Sequence, residues 1–438
     1  MTSIFPTSNA NEWKQKIIAE LKGGSFEQVI GKTQDGRGLM PFYTSEERIG
    51  ITGIQANEAW RCRQDFWGKK ESELNPLILE SLAASVSSIG IEWQEGDDLI
   101  KLLENIQLEL IDLHIKTDEP SEAITSLESL ANKKKIPLHT LRGSLDHDPI
   151  AEALIRGTWK ASSQEDMSMA FKDIEKLQAS FGRVCIHGDV YHMAGATSVQ
   201  ELYAVLASAL TYLERAEKPN ELIPRMRFRL SMDSDFYETV AKSMALKILW
   251  ANLSKAYGAS PAAAHLTMVG SGWDSAPLDQ DTNLIRSSSQ AFAAIVGGCD
   301  ELIIPPHDGD CNAFSMRMSR NIQHLLRHEA YMDTCLNPTE GAYLFEQLAK
   351  EMAEQVWEKL KDLKTEGSFL EEISSGSLQQ TLHTSGLKKS EALLNAERPW
   401  LGVNLYRSKE EQELKDITWT EAEGTAFPSL TFPIFQVA

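Results

Sequence analysis

The stretch that decides the fold runs Val184-Cys185-Ile186-His187-Gly188-Asp189-Val190, then a helical pattern over 197–216, then Met226-Arg227-Phe228-Arg229-Leu230-Ser231. A short apolar run, a long helical pattern and a second short run make one strand–helix–strand unit. The helix carries its own start signal: Thr197 and Ser198 stand three residues before Gln200 and Glu201, the capping-box pattern. Parallel strands need crossover connections of this length, and helices supply them.

Working outward, the unit repeats. Expected strands are Trp60–Trp67, Ile89–Trp93, Leu108–Ile115, Ile136–Gly143, Val184–Val190, Met226–Ser231, His265–Ser271 and Glu301–Ile304. Helical patterns lie at 76–87, 97–105, 121–132, 148–180, 197–216, 235–257, 283–296 and 314–332. Ser234 offers an N-cap to the sixth strand's helix. Eight such units close naturally into a (β/α)8 TIM-type barrel. An open doubly wound sheet would show a glycine-rich phosphate turn after its first strand, and there is none.

The flanks read differently. Residues 1–55 form an arm, with a helix over Asn9–Leu21 for which Asn11 is a cap. The barrel is expected over 56–337. Residues 338–438 form a helical extension and tail, with Leu344, Leu348, Met352, Val356 and Leu360 on one helix face and a second helix over about 369–394. The end, with Trp400, Phe427, Phe432 and Phe435, reads as irregular and apolar, in need of a surface to cover.

Charge and composition exclude several function classes. The 438 residues hold 63 acidic and 43 basic side chains, a net charge of −20, which argues against nucleic acid or an anionic membrane as a partner. Arg225, Arg227 and Arg229 alternate, as solvated or paired charges on a strand do. No apolar run is long enough to span a membrane, and Met1–Ala10 lacks the features of a secretory signal. Five scattered cysteines read as free thiols in a reducing cytoplasm.

Several residue groups could carry chemistry. His324 and His328 lie four apart on a helix, but Arg320 and Arg327 beside them disfavour a cation. His307, Asp308, Asp310 and Cys311 follow the eighth strand, on a barrel's active-site face, and also make a turn. Asp146-His147-Asp148 offers either a general base or a helix cap, and the cap is favoured. His192 ends the fifth strand run beside Tyr191, and Arg156 ends a helix. From the residues alone, this is a barrel without an evident catalytic set.

A resemblance takes the reading further. Tyr191-His192-Met193-Ala194-Gly195-Ala196, followed by Gln200-Glu201-Leu202, resembles the fifth-strand motif of the methylmalonyl-CoA mutase family. Similar family segments follow in order: Asp235-Phe236-Tyr237, Gly270-Ser271-Gly272-Trp273, Arg320-Asn321-Ile322-Gln323, Asn337-Pro338 to Tyr343, and Gly402-Val403-Asn404. The resemblance covers roughly 40–405. It implies a barrel threaded by an acyl-CoA, capped by a cobalamin domain, with adenosylcobalamin supplying a radical.

The departures narrow that implication. The family's Arg-Gln-Tyr-Ala-Gly-Phe motif is absent after Pro41-Phe42-Tyr43. Asp146 replaces a substrate-contacting Gln, Leu278-Asp279 replaces Gln-Asp, and Ile304-Pro305-Pro306 replaces His-Thr-Asn. No Asp-x-His-x-x-Gly cobalamin motif appears, and the chain stops soon after Gly-Val-Asn. His192 and Arg156 survive as remnants of the family's site. The resemblance is therefore to the small, noncatalytic subunit. It implies no catalytic residues, no metal and no cofactor on this chain, with adenosylcobalamin on a large partner subunit in a heterodimer, or a homodimer if isolated. One alternative is an active mutase barrel that borrows a separate cobalamin-binding chain. Another is an unrelated barrel lyase or hydrolase using His307 and Asp308.

Overall fold

Eight parallel strands organise the molecule in the computed structural model, which describes residues 9–44, 58–171, 177, 181–260, 262–407 and 413–437. They are Arg61–Phe66 (β1), Ser88–Glu92 (β2), Asp112–Lys116 (β3), Arg142–Asp146 (β4), Val184–His187 (β5), Met226–Met232 (β6), His265–Gly270 (β7) and Glu301–Ile303 (β8). The sheet order is β4-β3-β2-β1-β8-β7-β6-β5, so β8 pairs with β1 and wraps the sheet round. The seam between β4 and β5 is closed by a bridge from Ser144 to Gly182. There Leu145 donates to the Gly182 carbonyl at 2.9 Å and Cys185 to that of His147 at 3.2 Å. This is the expected TIM-type barrel.

The strands alternate, and the alternation separates two environments. Outward residues such as Ile89, Ile91, Leu113, Ile115, Phe228, Leu230 and Met268 are fully or almost fully buried beneath the helices. Each such side chain contributes roughly 1.5–3 kcal/mol by leaving water. Inward residues are mostly polar or charged, unlike the branched aliphatic layers common in such barrels.

Helix starts follow local chemistry. Thr197 and Gln200 form the expected capping box ahead of Ser198–Arg215. Asp148 caps Pro149–Arg156, as favoured above. Two expected caps move by one or two residues. Asp235, not Ser234, caps Phe236–Ala256, and Asn9, not Asn11, caps Ala10–Glu20 in a box with Glu12.

Some expected elements differ. Ile136–Gly143 is not a strand. Ile136 closes the preceding helix by donating to the Ala131 carbonyl, Leu138–Thr140 is a 3-10 turn, and β4 begins at Arg142. Leu108–Leu110 is likewise a turn before β3. β5 stops at His187, and Gly188–Met193 is a short helix that carries His192. Of the helix expected over 148–180, the described residues hold Pro149–Arg156 and Ser163–Phe171; most of 172–180 lies outside them. The second tail helix is split into Phe369–Ser375 and Ser377–Leu394 by Gly376, whose φ of +79° suits glycine.

The extension packs back onto the barrel. Helix Tyr343–Glu366 lies on Phe236–Ala256 and Ser198–Arg215, burying Leu348, Met352, Val356 and Leu360 as the spacing predicts. The tail is not irregular throughout: Leu414–Trp419 (β9) and Pro433–Val437 (β10) form an antiparallel pair. Its aromatics are covered within the chain, with Trp419 and Phe435 against Trp273, and Trp400 against Phe435. The arm is fastened through a small hairpin, Gly31–Lys32 with Gly38–Leu39. Arg37 pairs with Glu238 at 3.1 Å, and Asp35 accepts from the Ser198 backbone at 2.7 Å. Among the described residues no helix is long and apolar enough to cross a membrane.

Candidate functional site

Alternation sends Arg63, Ser88, His114, Ser144, Asp146, Arg229, Thr267 and Glu301 into the barrel lumen, where they meet. Glu301 on β8 is the hub. Its Oε1 lies 2.9 Å from His114 Nε2 on β3 and accepts from Ser88 Oγ at 3.0 Å. Its Oε2 accepts from Thr267 Oγ1 at 3.1 Å and from Arg63 Nη1 at 3.3 Å. Arg63 on β1 also reaches Asp65 at 2.7 Å and Asp146 on β4 at 2.5 Å. Arg229 on β6 lies 3.5 Å from Asp65 and 3.1 Å from Asp189. Four of these contacts, Arg63–Asp146, His114–Glu301, Ser88–Glu301 and Arg229–Asp65, join strands that are not neighbours, so the side chains cross the lumen.

Burial makes the pairing obligatory, because an isolated charge there is costly. Burial pushes the Asp146 carboxyl up, but Arg63, His114 and Arg229 hold it well below the usual carboxylate range. Glu301 is likewise raised by burial and brought well below by His114 and Arg63. Burial and Arg63 lower His114, yet Glu301 and Asp146 carry it above the usual imidazole value. The lumen is thus a lattice of buried, mutually paired acidic and basic side chains with His114 between Glu301 and Asp146.

Above the lattice, at the strand C-termini, lies a cavity of about 530 Å³. Arg63, Asp65, His187, Asp189 and Arg229 line its polar side, and Phe66, Val269, Ile304 and Pro305 its apolar side.

His192 lines a different cavity, of about 680 Å³, walled by the arm hairpin and by helix Ser377–Leu394. Its Nε2 lies 2.8 Å from Ser271 Oγ, which joins two of the family-like motifs. Burial, then Lys389, Lys242 and Arg398, push the His192 imidazole well below its usual value, so it is neutral. Beneath it the fully buried Lys242 pairs with Glu201 at 2.7 Å. Burial lowers Lys242, and Glu201 and Asp233 more than restore it, so it stays charged.

The other sequence candidates scatter. Arg156 lies 3.7 Å from Asp118 and 3.9 Å from Glu152 and lines neither cavity, so it and His192 are not brought together. His324 is tied to the Ala84 carbonyl at 2.7 Å. Asp308 accepts from Ser315 and Asn312 in a turn ahead of helix Ala313–His328. His147 lies 3.0 Å from the Thr117 carbonyl and 3.2 Å from Glu152. Among the described residues no group of His, Cys, Asp or Glu is arranged to hold a metal ion. Asn404 is structural, donating to the Leu393 and Arg398 carbonyls.

Sequence reasoning missed Arg63, His114 and Glu301. Their signal is alternation: Arg61, Arg63 and Asp65, or Asp112, His114 and Lys116, place charge at every second position of a strand whose other face is covered by helices. Such charges have only the lumen to enter.

A model of methylmalonyl-CoA mutase matches residues 80–426. The methylmalonyl-CoA mutase small subunit of Porphyromonas gingivalis is 25% identical, over 96% of this chain and 73% of that protein. The small subunit of Propionibacterium freudenreichii subsp. shermanii is 22% identical, over 92% of this chain and 69% of its own length. The methylmalonyl-CoA mutase large subunit of Streptomyces virginiae is 22% identical, over 93% of this chain and 63% of its own length. A match over this much of the chain, on a barrel of eight parallel strands, places the chain in the methylmalonyl-CoA mutase family.

Proposed function

We propose that this chain is the small, noncatalytic subunit of an adenosylcobalamin-dependent methylmalonyl-CoA mutase, acting in a heterodimer beside a large subunit that interconverts methylmalonyl-CoA and succinyl-CoA. The observation that carries the reading is the crossed lumen. An acyl-CoA threaded along the barrel axis would have to part Glu301 from His114 and Arg63. Breaking one buried, hydrogen-bonded ion pair costs about 3–5 kcal/mol, and this lattice holds several. The separate surroundings of Arg156 and His192, the two surviving family-like site residues, point the same way.

The residues present do not fit a cobalamin holder. A histidine that ligates cobalt has to be accessible to it. Of the imidazoles near the strand C-termini, His147, His187 and His192 are 3%, 7% and 3% exposed, and the His307 side chain is 6% exposed. His139 and His328 are exposed but lie toward the strand N-termini, before β4 and at the end of the helix after β8. No chemical step is therefore assigned to this chain. We place adenosylcobalamin on the large subunit and the protein in the cytoplasm, in keeping with its free thiols. We also take 1–55 as arm, 56–337 as barrel and 338–438 as extension.

The test is turnover of methylmalonyl-CoA by the purified chain with adenosylcobalamin, with and without the large subunit. Turnover only when the large subunit is present is expected. Turnover by this chain with a separate cobalamin-binding domain alone overturns the reading.

A further inference from the structure

We infer that the cavity beside His192 binds a small zwitterion of the amino-acid class, with a primary ammonium at one end and a carboxylate at the other. The inference goes beyond the subunit reading and does not depend on it.

The cavity, of about 680 Å³, has two walls of opposite charge. One is built by the arm hairpin and by the segments that follow β6 and β7. It carries Asp35, Asp233, Asp235 and Asp274, with exposed Lys32. The other is built by helix Ser377–Leu394 and the segment after it. It carries Lys388, Lys389 and Arg398, with exposed Glu397. The walls meet at one ion pair, Arg398 with Asp274 at 2.5 Å. Among the described residues Lys388 and Lys389 have no carboxylate within 4 Å.

Part of the acidic wall serves the fold. Asp235 accepts from the Gln34, Tyr237 and Glu238 backbones, and Asp274 from the Ser234 backbone and Arg398. Two carboxylates each keep one oxygen over. Asp35 Oδ2 accepts from the Ser198 backbone, and its Oδ1 has no partner among the described residues. Asp233 Oδ1 accepts from the Asp235 backbone at 2.8 Å, whereas Oδ2 has only Lys242, at 4.0 Å. Neither spare oxygen is sealed from solvent. Across the cavity, Lys389 donates to the Ala196 carbonyl at 2.6 Å, which leaves two of its three N–H groups. Lys389 is half-buried and Lys388 exposed, so both are open to a ligand.

The electrostatics of the two walls agree. Burial raises the Asp233 carboxyl, Lys242 draws it down, and Asp274, Asp235 and Asp35 help push it up to about 7. Burial lowers the Lys389 ammonium, and Asp35 and Asp233 restore it only in part. The acidic wall thus lacks a cation and the basic wall an anion. A primary ammonium brings N–H donors to Asp35 and Asp233, and a carboxylate brings acceptors to Lys388 and Lys389. A molecule charged at one end only leaves the other wall unanswered and sets it against a like charge. The volume lies within the range of small-molecule sites.

The experiment is saturation-transfer NMR on the purified full chain, with L-alanine and 4-aminobutyrate as zwitterionic probes and butyrate and butylamine as single-charge controls, each up to ~50 mM. Saturable binding of at least one zwitterion is expected, at least tenfold tighter than either control. Lys389→Met and Asp233→Asn each weaken it at least tenfold. Lys361→Met, on an exposed helix position outside the cavity, leaves it unchanged. If Lys389→Met or Asp233→Asn does not fold, Lys388→Glu at an exposed lining position carries the test and weakens binding at least fivefold. Absence of binding by both zwitterions overturns the inference. So does binding of butyrate or butylamine as tight as that of the zwitterions, or zwitterion binding that survives the lining substitutions.

Discussion

Glu301→Gln tests the lumen lattice at its hub. Glu301 is 1% exposed and meets Ser88, His114, Thr267 and Arg63. The substitution keeps the shape but removes the charge, and it turns one oxygen into an N–H₂ that faces either Arg63 and Thr267 or His114 and Ser88, groups that now donate to the carboxylate or lie against it. Removing one partner of a buried pair costs about 3–5 kcal/mol, and the isosteric change sits near the lower end. At about 2–4 °C per kcal/mol for a unit of barrel size, melting falls by roughly 6 °C or more. The loss depends on pH with a definite sign. His114 is raised in the folded chain, so its contribution is full below the unfolded value near 6.5 and fades as pH rises through the folded value. Glu301 and Asp146 are depressed, so theirs is present above the unfolded carboxylate range near 4 and fades as pH falls through their folded values. The gap between wild type and variant is therefore widest between about pH 4.5 and 6.5 and narrows above. Calorimetry and urea titration at several pH values measure it. A melting change under about 1 °C that ignores pH would refute the reasoning, because a hydrated, open lumen behaves that way.

Three further outcomes are expected. Lys242→Met strands Glu201 in the core and costs about 3–5 kcal/mol, most of which returns when Glu201→Leu is added; urea denaturation of both variants checks this. Gly143→Ala destabilises the β3–β4 edge by several kcal/mol, because Gly143 has φ +127° and an added Cβ would lie 1.8 Å from the Leu113 carbonyl oxygen. Of the five thiols, only exposed Cys335 reacts quickly with a thiol reagent in the folded chain, since burial pushes Cys62 and Cys299 up to about 12 and raises Cys185 and Cys311 as well. Mass spectrometry of the labelled protein identifies the site.

The barrel was legible because its outward faces obey simple rules. Runs such as Ile89-Gly90-Ile91 and Leu266-Thr267-Met268-Val269 mark strands, and the long helices between them require a parallel sheet. Errors arose where that signal reverses. Ile136, Leu138 and Leu141 look like a strand, yet Pro137 opens a 3-10 turn, and the real strand, Arg142-Gly143-Ser144-Leu145-Asp146, looks polar because it serves the lumen. The lattice itself was not legible. Arg63, His114, Asp146 and Glu301 are far apart in sequence and meet only once the sheet closes. His192 and Arg156 were visible as motif remnants, but their different partners become apparent only in three dimensions. The cap at Asp148 was read correctly because it depends on neighbours in sequence alone.

Titration calorimetry of methylmalonyl-CoA into the purified chain tests the closed lumen most directly. The account predicts no saturable binding with Kd below about 1 mM, in the wild type at pH 7. Saturable micromolar binding, with the acyl-CoA found along the barrel axis between His114 and Glu301, would contradict it.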